Sequence, residues 1–217
     1  MTAGIGVADF RRLRPLYLDL AEDIHPERWL AVGLAPESGK RLAGCARSRQ
    51  ALSRRLEWLA PAAGGDLEDW AGAALSEAGR WTLGRGADLW RVGLRFGAGC
   101  LRADIAKLVL QQDVADFKAS VGVDAHVFAL RQAPLLWRAG LLLDGIPEEG
   151  SVAQRVLAAA GLGLGCRLAG LPPPLAARVG LKLPPACDAE IIEAAAWEPE
   201  RRRAWLVLLD KVFAIPA

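Results

Sequence analysis

The stretch SVAQRVLAAAGLGLGCRLAG, residues 151–170, decides how this chain folds. Ser151 and Gln154 stand three residues apart, the spacing of a capping box, in which each side chain bonds the other residue's backbone amide and a helix begins. The residues that follow are apolar on nearly every side up to Gly170. A helix with so little polar surface is stable only when other elements cover it. The sequence therefore predicts a buried helix at the centre of a helical bundle.

The composition of the whole chain also favours helices. Among its 217 residues, 40 are Ala and 35 are Leu, whereas Val, Ile and Thr together number 22. Side chains that branch at Cβ lose rotamer freedom in a helix and pack better in sheets. The chain is therefore predicted to be all-α, with short extended segments at most, and it is long enough to bury a core.

A single helical domain is expected over residues 37–217, with residues 1–36 as an irregular arm packed on it. Prolines at 15, 26 and 36 limit any helix in that arm to short pieces. Alternation of polar and apolar residues over 178–183 predicts an extended segment. Apolar spacing predicts further helices over 38–60, 66–81, 88–112, 188–197 and 199–213, with two shorter ones capped by Asp113 and Asp124.

Two glycine-rich stretches resemble nucleotide-binding loops and are interpreted as packing features. In Gly33–Lys40 five residues separate the glycines, and Arg41 stands where a phosphate loop has a hydroxyl. In Gly161–Gly165 no strand precedes the glycines, and Cys166 replaces the third glycine of the dinucleotide fingerprint. The expectation is a helix start at the first stretch and close helix packing at the second, with a further close approach at Gly93 and Gly97.

No group of residues has the spacing of a catalytic or metal site. The two histidines, His25 and His126, stand far apart in the sequence, and no nucleophile motif accompanies either. The acidic residues around His25 could hold a metal ion, but zinc usually takes Cys or more His, and a solvated turn is the more common outcome. We expect no enzymatic activity, no metal and no cofactor.

The location is expected to be cytoplasmic. The longest charge-free runs fall well short of the ~20 residues that cross a bilayer. No apolar segment of signal-peptide type follows the first arginines. The four cysteines are widely separated, which is typical of reduced, buried thiols.

Arginine and tryptophan are the residues that point to binding. Arg outnumbers Lys 22 to 5, although a GC-rich genome also produces such a bias. Between residues 40 and 55 the sequence contains basic residues and no Asp or Glu. This basic segment, followed by Trp58, could contact nucleic acid or an anionic membrane surface, or it could form a solvated or protein-facing surface. The net charge of only +2 weighs against wrapping a polyanion. Of the eight Trp, Trp29 in the arm is the candidate for an exposed anchor, although a position capping the core is the more common outcome.

Three stretches, in order, resemble the type III secretion sorting-platform proteins called SctK, the YscK, PscK and MxiK group. The first is Arg14–Leu18 followed by His25-Pro26 and Trp29. The second runs from Leu89-Trp90-Arg91-Val92-Gly93-Leu94 through Cys100-Leu101-Arg102 to Val127-Phe128-Ala129-Leu130. The third is Arg178–Pro184.

The resemblance implies a non-enzymatic helical adaptor at the cytoplasmic base of the injectisome. Such a protein joins the cytoplasmic domain of the inner-membrane ring protein, SctD, to the pod protein, SctQ, and indirectly to the stator and the export ATPase. The alternative is a helical nucleic-acid-binding regulator that uses the basic face at residues 40–55. The candidate partner-binding residues are Tyr17, His25, Trp29, Arg47, Arg54, Arg55, Arg91 and Arg95.

Overall fold

The computed structural model describes residues 7–17, 19–56, 67–76, 79–137 and 144–215. These ranges contain thirteen α-helices, four short 3-10 helices and no strand, which confirms the all-α prediction. The α-helices are α1 Val7–Tyr17, α2 Pro36–Gly44, α3 Ala46–Leu56, α4 Leu67–Leu75, α5 Gly86–Cys100, α6 Arg102–Ile105, α7 Gln111–Val121, α8 Val123–Arg131, α9 Ala133–Leu136, α10 Val152–Leu168, α11 Pro173–Gly180, α12 Asp188–Ala195 and α13 Pro199–Phe213. The 3-10 helices are Leu20–Glu22, Pro26–Val32, Arg80–Leu83 and Pro185–Cys187. In the described ranges no helix combines the length and the apolar character that a membrane span requires.

The chain groups into two compact units. Unit 1 comprises Met1–Leu89 with Leu168–Ala186, and unit 2 comprises Trp90–Arg167 with Cys187–Ala217. The boundary predicted at residue 36 therefore falls inside unit 1. That the chain forms one globular domain stays a prediction.

The described part of the segment 1–36 is largely helical, so the expectation of an irregular arm was wrong. It contains α1 and the 3-10 helices Leu20–Glu22 and Pro26–Val32. Pro26 opens its helix at the first turn, where the missing amide hydrogen is not needed and the fixed φ suits a helix. Pro36 opens α2 in the same way. The segment also supplies much of the unit 1 core, a cluster formed by Leu20, Ala21, Ile24, Trp29, Leu52, Leu56 and Leu181.

Several predicted helices are shorter than their apolar patterns. The helix expected over 38–60 is interrupted at Cys45, whose backbone is extended at φ −91° and ψ 121°, and residues 57–60 lie outside the described ranges. The helix expected over 66–81 ends at Leu75, and Trp81 belongs to a separate 3-10 helix. The helix expected over 88–112 begins at Gly86 and ends at Cys100. The apolar spacing continues through these breaks, because 3-10 turns and short helices also bury some of their residues and expose others.

Residues 178–183 do not form the predicted extended segment. Arg178 lies inside α11, and the amides of Lys182 and Leu183 close a turn by donating to the carbonyls of Val179 and Gly180 at 3.0 Å each. The alternation misled because Arg178 is itself buried, with Nη1 donating to the Leu16 carbonyl at 2.6 Å. A long polar side chain that finds an internal partner breaks the rule that polar positions face water.

The central helix of unit 2 is α10, as the sequence predicted. Its capping box is confirmed: the Ser151 amide donates to Gln154 Oε1 at 2.8 Å, and the Gln154 amide donates to Ser151 Oγ at 3.2 Å. Residues 159–166 are all buried. A Cβ on Gly97 would collide with the Val156 carbonyl of α10, and a Cβ on Gly165 would press on α12. The interpretation of these glycines as close-packing residues is confirmed.

Candidate functional site

An exposed cationic surface of unit 1 lies on α2 and α3. Five side chains are exposed there and make no ion pair with any described residue; we call them the basic surface, which is Lys40, Arg41, Arg47, Arg54 and Arg55. On α3, Arg47 and Arg54 are seven residues apart and lie on one face, whereas Leu52 and Leu56 face the core. A row of guanidinium groups on a rigid helix suits carboxylate or phosphate partners.

The break at Cys45 sets the direction of α3 relative to α2. Ser48 Oγ donates to the Leu42 carbonyl at 2.6 Å and to the Cys45 carbonyl at 3.2 Å, so it satisfies the end of α2. Arg49 differs from the other arginines of this segment, since its Nε donates to the Ala43 carbonyl at 2.9 Å. Arg49 therefore braces the α2–α3 corner, while its neighbours stay exposed.

His25 and Trp29, both candidate contact residues, have structural roles. The His25 amide donates to the Leu181 carbonyl at 3.0 Å, and its Nδ1 accepts the Glu27 amide at the start of a 3-10 helix. Burial lowers the pKa of His25, which favours the neutral imidazole. Trp29 is 2% exposed, which corrects its prediction as an exposed anchor. Its indole packs on Gly39, which explains the glycine that resembled a phosphate loop.

Tyr17 is the last residue of α1, and its side chain lies outside the part of the chain that the structure describes. Its role as a contact residue stays a prediction.

Arg91 and Arg95 follow each other by one turn on α5 but differ in exposure. Arg95 is 7% exposed and binds Asp124 of α8 through two bonds, Nε to Oδ2 at 2.8 Å and Nη2 to Oδ1 at 2.9 Å. The hydrogen bond from Arg95 lowers the pKa of Asp124. A buried, doubly bonded guanidinium holds α5 on α8, so the prediction of Arg95 as a partner contact was wrong. Arg91 is exposed and its charge also acts on Asp124.

An exposed apolar row on α8 was missed by the sequence analysis. Val123, Val127 and Leu130 recur at i, i+4 and i+7 and are 60%, 40% and 44% exposed; we call them the apolar stripe. The opposite face of α8, with Phe128 at its centre, is buried. The signal was present in the sequence, since α8 is apolar on two faces and a peripheral helix needs only one.

A buried lysine joins three segments of unit 1. Lys182 is 5% exposed; its Nζ lies 3.1 Å from Asp23 Oδ2 and donates to the carbonyls of Thr82 at 3.1 Å and Gly84 at 2.8 Å. Asp23 in turn accepts the Gly86 amide at the start of α5, at 3.0 Å. Burial lowers the pKa of Lys182, and the Asp23 charge acts in the opposite direction. Because all three ammonium hydrogens have acceptors, Lys182 is a structural clamp.

A cleft of about 480 Å³ lies beside this clamp and is lined by Glu22, Asp23, Leu83, Arg85 and Lys182. Its charges belong to side chains that already bond to protein groups or extend to solvent. Within the described ranges no group of three His, Cys, Asp or Glu side chains is placed to hold a metal ion.

The four cysteines are all free thiols, but they do not share one environment. Cys166 and Cys187 are buried, as predicted, whereas Cys45 is exposed at the α2–α3 break. Burial raises the pKa of Cys166 to about 12. Hydrogen bonding from Ser48 lowers the pKa of Cys45. The prediction of uniformly buried thiols was wrong at Cys45, because the helix expected over 38–60 breaks at this residue and leaves its side chain exposed.

No family model, curated protein or solved structure matches the chain.

Proposed function

We propose that this protein is a non-enzymatic adaptor of the type III secretion sorting platform. It joins the cytoplasmic domain of an SctD-like ring protein to an SctQ-like pod protein, and through them it meets the stator and the export ATPase. It works in the cytoplasm, held at the inner membrane by these partners.

One observation supports the proposal: among the described residues, each compact unit exposes a patch of its own. Unit 1 carries the basic surface on α2 and α3, and unit 2 carries the apolar stripe on α8. An adaptor must bind two partners at once. Two surfaces of different chemistry allow this, because the partners then do not compete for one site. The resemblance to SctK proteins supplies the identity of the partners.

The charges of the basic surface define what its partner must offer. Arg47, Arg54 and Arg55 are exposed and have no carboxylate partner among the described residues. Exposed cations contribute to binding chiefly by attracting the partner over a distance and by fixing its position on the surface, and dissolved salt screens both effects. We therefore expect an acidic patch on the partner and an affinity that falls as salt rises.

The test is charge reversal on α3. Tagged wild-type protein and the triple variant Arg47→Glu, Arg54→Glu, Arg55→Glu are recovered from nuclease-treated lysates of cells that assemble the injectisome, and co-eluting proteins are quantified by mass spectrometry. The variant should lose either the ring or the pod protein at least tenfold and keep the other. The control variant Arg203→Glu, Lys211→Glu changes exposed cations on α13 and should keep both.

Circular dichroism and melting verify that the triple variant remains folded. Recovery of both partners with the folded triple variant would remove the basic surface from the proposal. Recovery of neither partner with the wild type would refute the proposal itself.

A second candidate function is nucleic-acid binding through the same basic surface, which is favoured by its exposed arginines. A protein that neutralises phosphates shows a steep fall of log affinity with log salt, by about 0.9 per phosphate contact on duplex DNA. Titration of the wild type with arbitrary duplex DNA at several salt concentrations measures this slope. The regulator hypothesis requires a steep slope that shrinks in the α3 triple variant, and a flat slope excludes it.

A further inference from the structure

The apolar stripe of α8 is the most regular exposed apolar feature among the described residues of unit 2. Its three side chains occupy two turns of one helix face, at about 1.5 Å rise per residue. Single exposed apolar side chains are ordinary, but a row at i, i+4 and i+7 is the arrangement by which one helix lies on another. The stripe has the size of one helix contact.

Two basic residues border the stripe. On one edge Arg131 is exposed and follows Val127 by one turn. On the other edge lies His126; burial lowers its pKa, and the charge of Lys118 acts in the same direction. Arg131 therefore gives one edge of the stripe a positive charge.

The carboxylate next to the stripe is already occupied. Asp124 is held by both Nε and Nη2 of the buried Arg95, and Arg91 adds a second positive charge beside it. The surroundings of the stripe thus attract anions and repel cations. This complementarity favours a partner helix whose apolar row is flanked by Glu or Asp.

We infer that the apolar stripe of α8 is the docking site for an acidic amphipathic helix of a partner protein. Val123, Val127 and Leu130 take its apolar row, while Arg131 pairs with its acidic flank. The inference rests on the proposed function for the presence of a second partner, and it adds where on unit 2 that partner binds and what chemistry it presents. A stripe of two turns with no aromatic side chain favours a helix over a membrane surface, because interfacial helices bury longer faces with aromatic anchors.

The experiment presents the full-length protein with a displayed library of helix-forming peptides of about 20 residues, long enough for stable helices. The apolar row is fixed in the library, and the flanking positions vary freely between acidic, basic and neutral residues. Enriched peptides are synthesised, and their binding is measured by fluorescence anisotropy. We expect enrichment of peptides with acidic flanks.

Three variants locate the site. The double variant Val123→Glu, Val127→Glu should weaken binding about tenfold or more, since it removes the apolar contact. Arg131→Glu should reduce the preference for acidic over basic flanks while binding through the apolar row persists, a result that loss of folding cannot produce. Val207→Glu changes a valine of α13 that is 53% exposed, so it is a matched control and should bind like the wild type.

Several results would overturn the inference. They are enrichment without acidic flanks, equal loss in the Val207→Glu control, and no enrichment at all. If the wild type forms dimers and the Val123→Glu, Val127→Glu variant is monomeric, the stripe binds a second copy of this chain. If the wild type binds phosphatidylserine vesicles and this variant does not, the stripe binds a membrane surface. If the partners co-purify but no acidic peptide binds, the inference fails and the proposed function stands. If an acidic peptide binds but the partners do not co-purify, only the proposed function is rejected.

Discussion

The Lys182 clamp makes the sharpest prediction about stability. Substitution Lys182→Met keeps most of the side-chain volume but removes the ammonium that bonds Asp23 and the carbonyls of Thr82 and Gly84. Removing one partner of a buried ion pair destabilises a protein by about 3–5 kcal/mol. Asp23 is 24% exposed and keeps the bond from Gly86, so the lower end, about 3 kcal/mol, is expected.

The assay is thermal and urea unfolding of the wild type, Lys182→Met and a matched control, Lys40→Met. For a chain of this size each kcal/mol shifts Tm by about 2–4 °C, so Lys182→Met should melt about 6–12 °C lower. Lys40 is exposed, and its substitution should change stability by less than about 0.5 kcal/mol. Equal melting of the two variants would refute the argument that the clamp stabilises unit 1.

A double-mutant cycle with Asp23→Asn separates the ion pair from the carbonyl contacts. The Asn side chain can still accept the Gly86 amide, so this variant removes only the negative charge. The double variant should be less destabilised than the sum of the single variants, with a coupling of about 0.5–3 kcal/mol. Strict additivity would show that the charges of Lys182 and Asp23 act independently.

Three further predictions concern single residues. When the protein reacts with an aromatic disulfide reagent at pH 8, the exposed Cys45 thiol should react fast, whereas Cys166 is buried and its pKa is raised to about 12. The variant Cys45→Ser should therefore lose the fast phase. A fast phase that persists in this variant would contradict the prediction. Asp124→Asn should flatten the dependence of Tm on acid pH. The bond from Arg95 lowers the folded-state pKa of Asp124 below its ordinary value of 3.8. The stability that this carboxylate contributes is therefore present above pH 3.8 and is lost as the pH falls through the lowered folded-state pKa. Parallel acid profiles for the variant and the wild type would count against that bond. Ser151→Ala should cost about 1 kcal/mol through loss of the capping box, and an unchanged melting curve would show that the cap does not contribute.

Several features that depend on local rules could be predicted from the sequence. The capping box at Ser151 and Gln154 and the proline at the start of α13 act through neighbouring backbone, which the residue types determine. Gly122, which ends α7, follows the same principle, since its φ of 101° favours glycine. The caps predicted at Asp113 and Asp124 were wrong, because α7 begins at Gln111 and α8 at Val123. Residue types at fixed spacing therefore predicted α10 and its boundaries well.

The parts that depend on distant partners could not be predicted. Arg95, Arg178 and Lys182 looked like surface charges, and they are buried because Asp124, the Leu16 carbonyl and Asp23 lie opposite them in the folded chain. Nothing in the spacing of the sequence gives those contacts, each of which joins residues far apart in the chain. The same reasoning applies to the candidate site, where arginines of equal appearance divide into exposed and structural ones only after folding.

We propose that two partners bind two separate surfaces of this protein. Recovery of partners from cells that produce the wild type, the α3 triple variant or the Val123→Glu, Val127→Glu variant, quantified in parallel, tests this proposal. We expect the wild type to recover both the ring and the pod protein, and each variant to lose a different one. Loss of the same partner by both variants, or of neither by either, would contradict it.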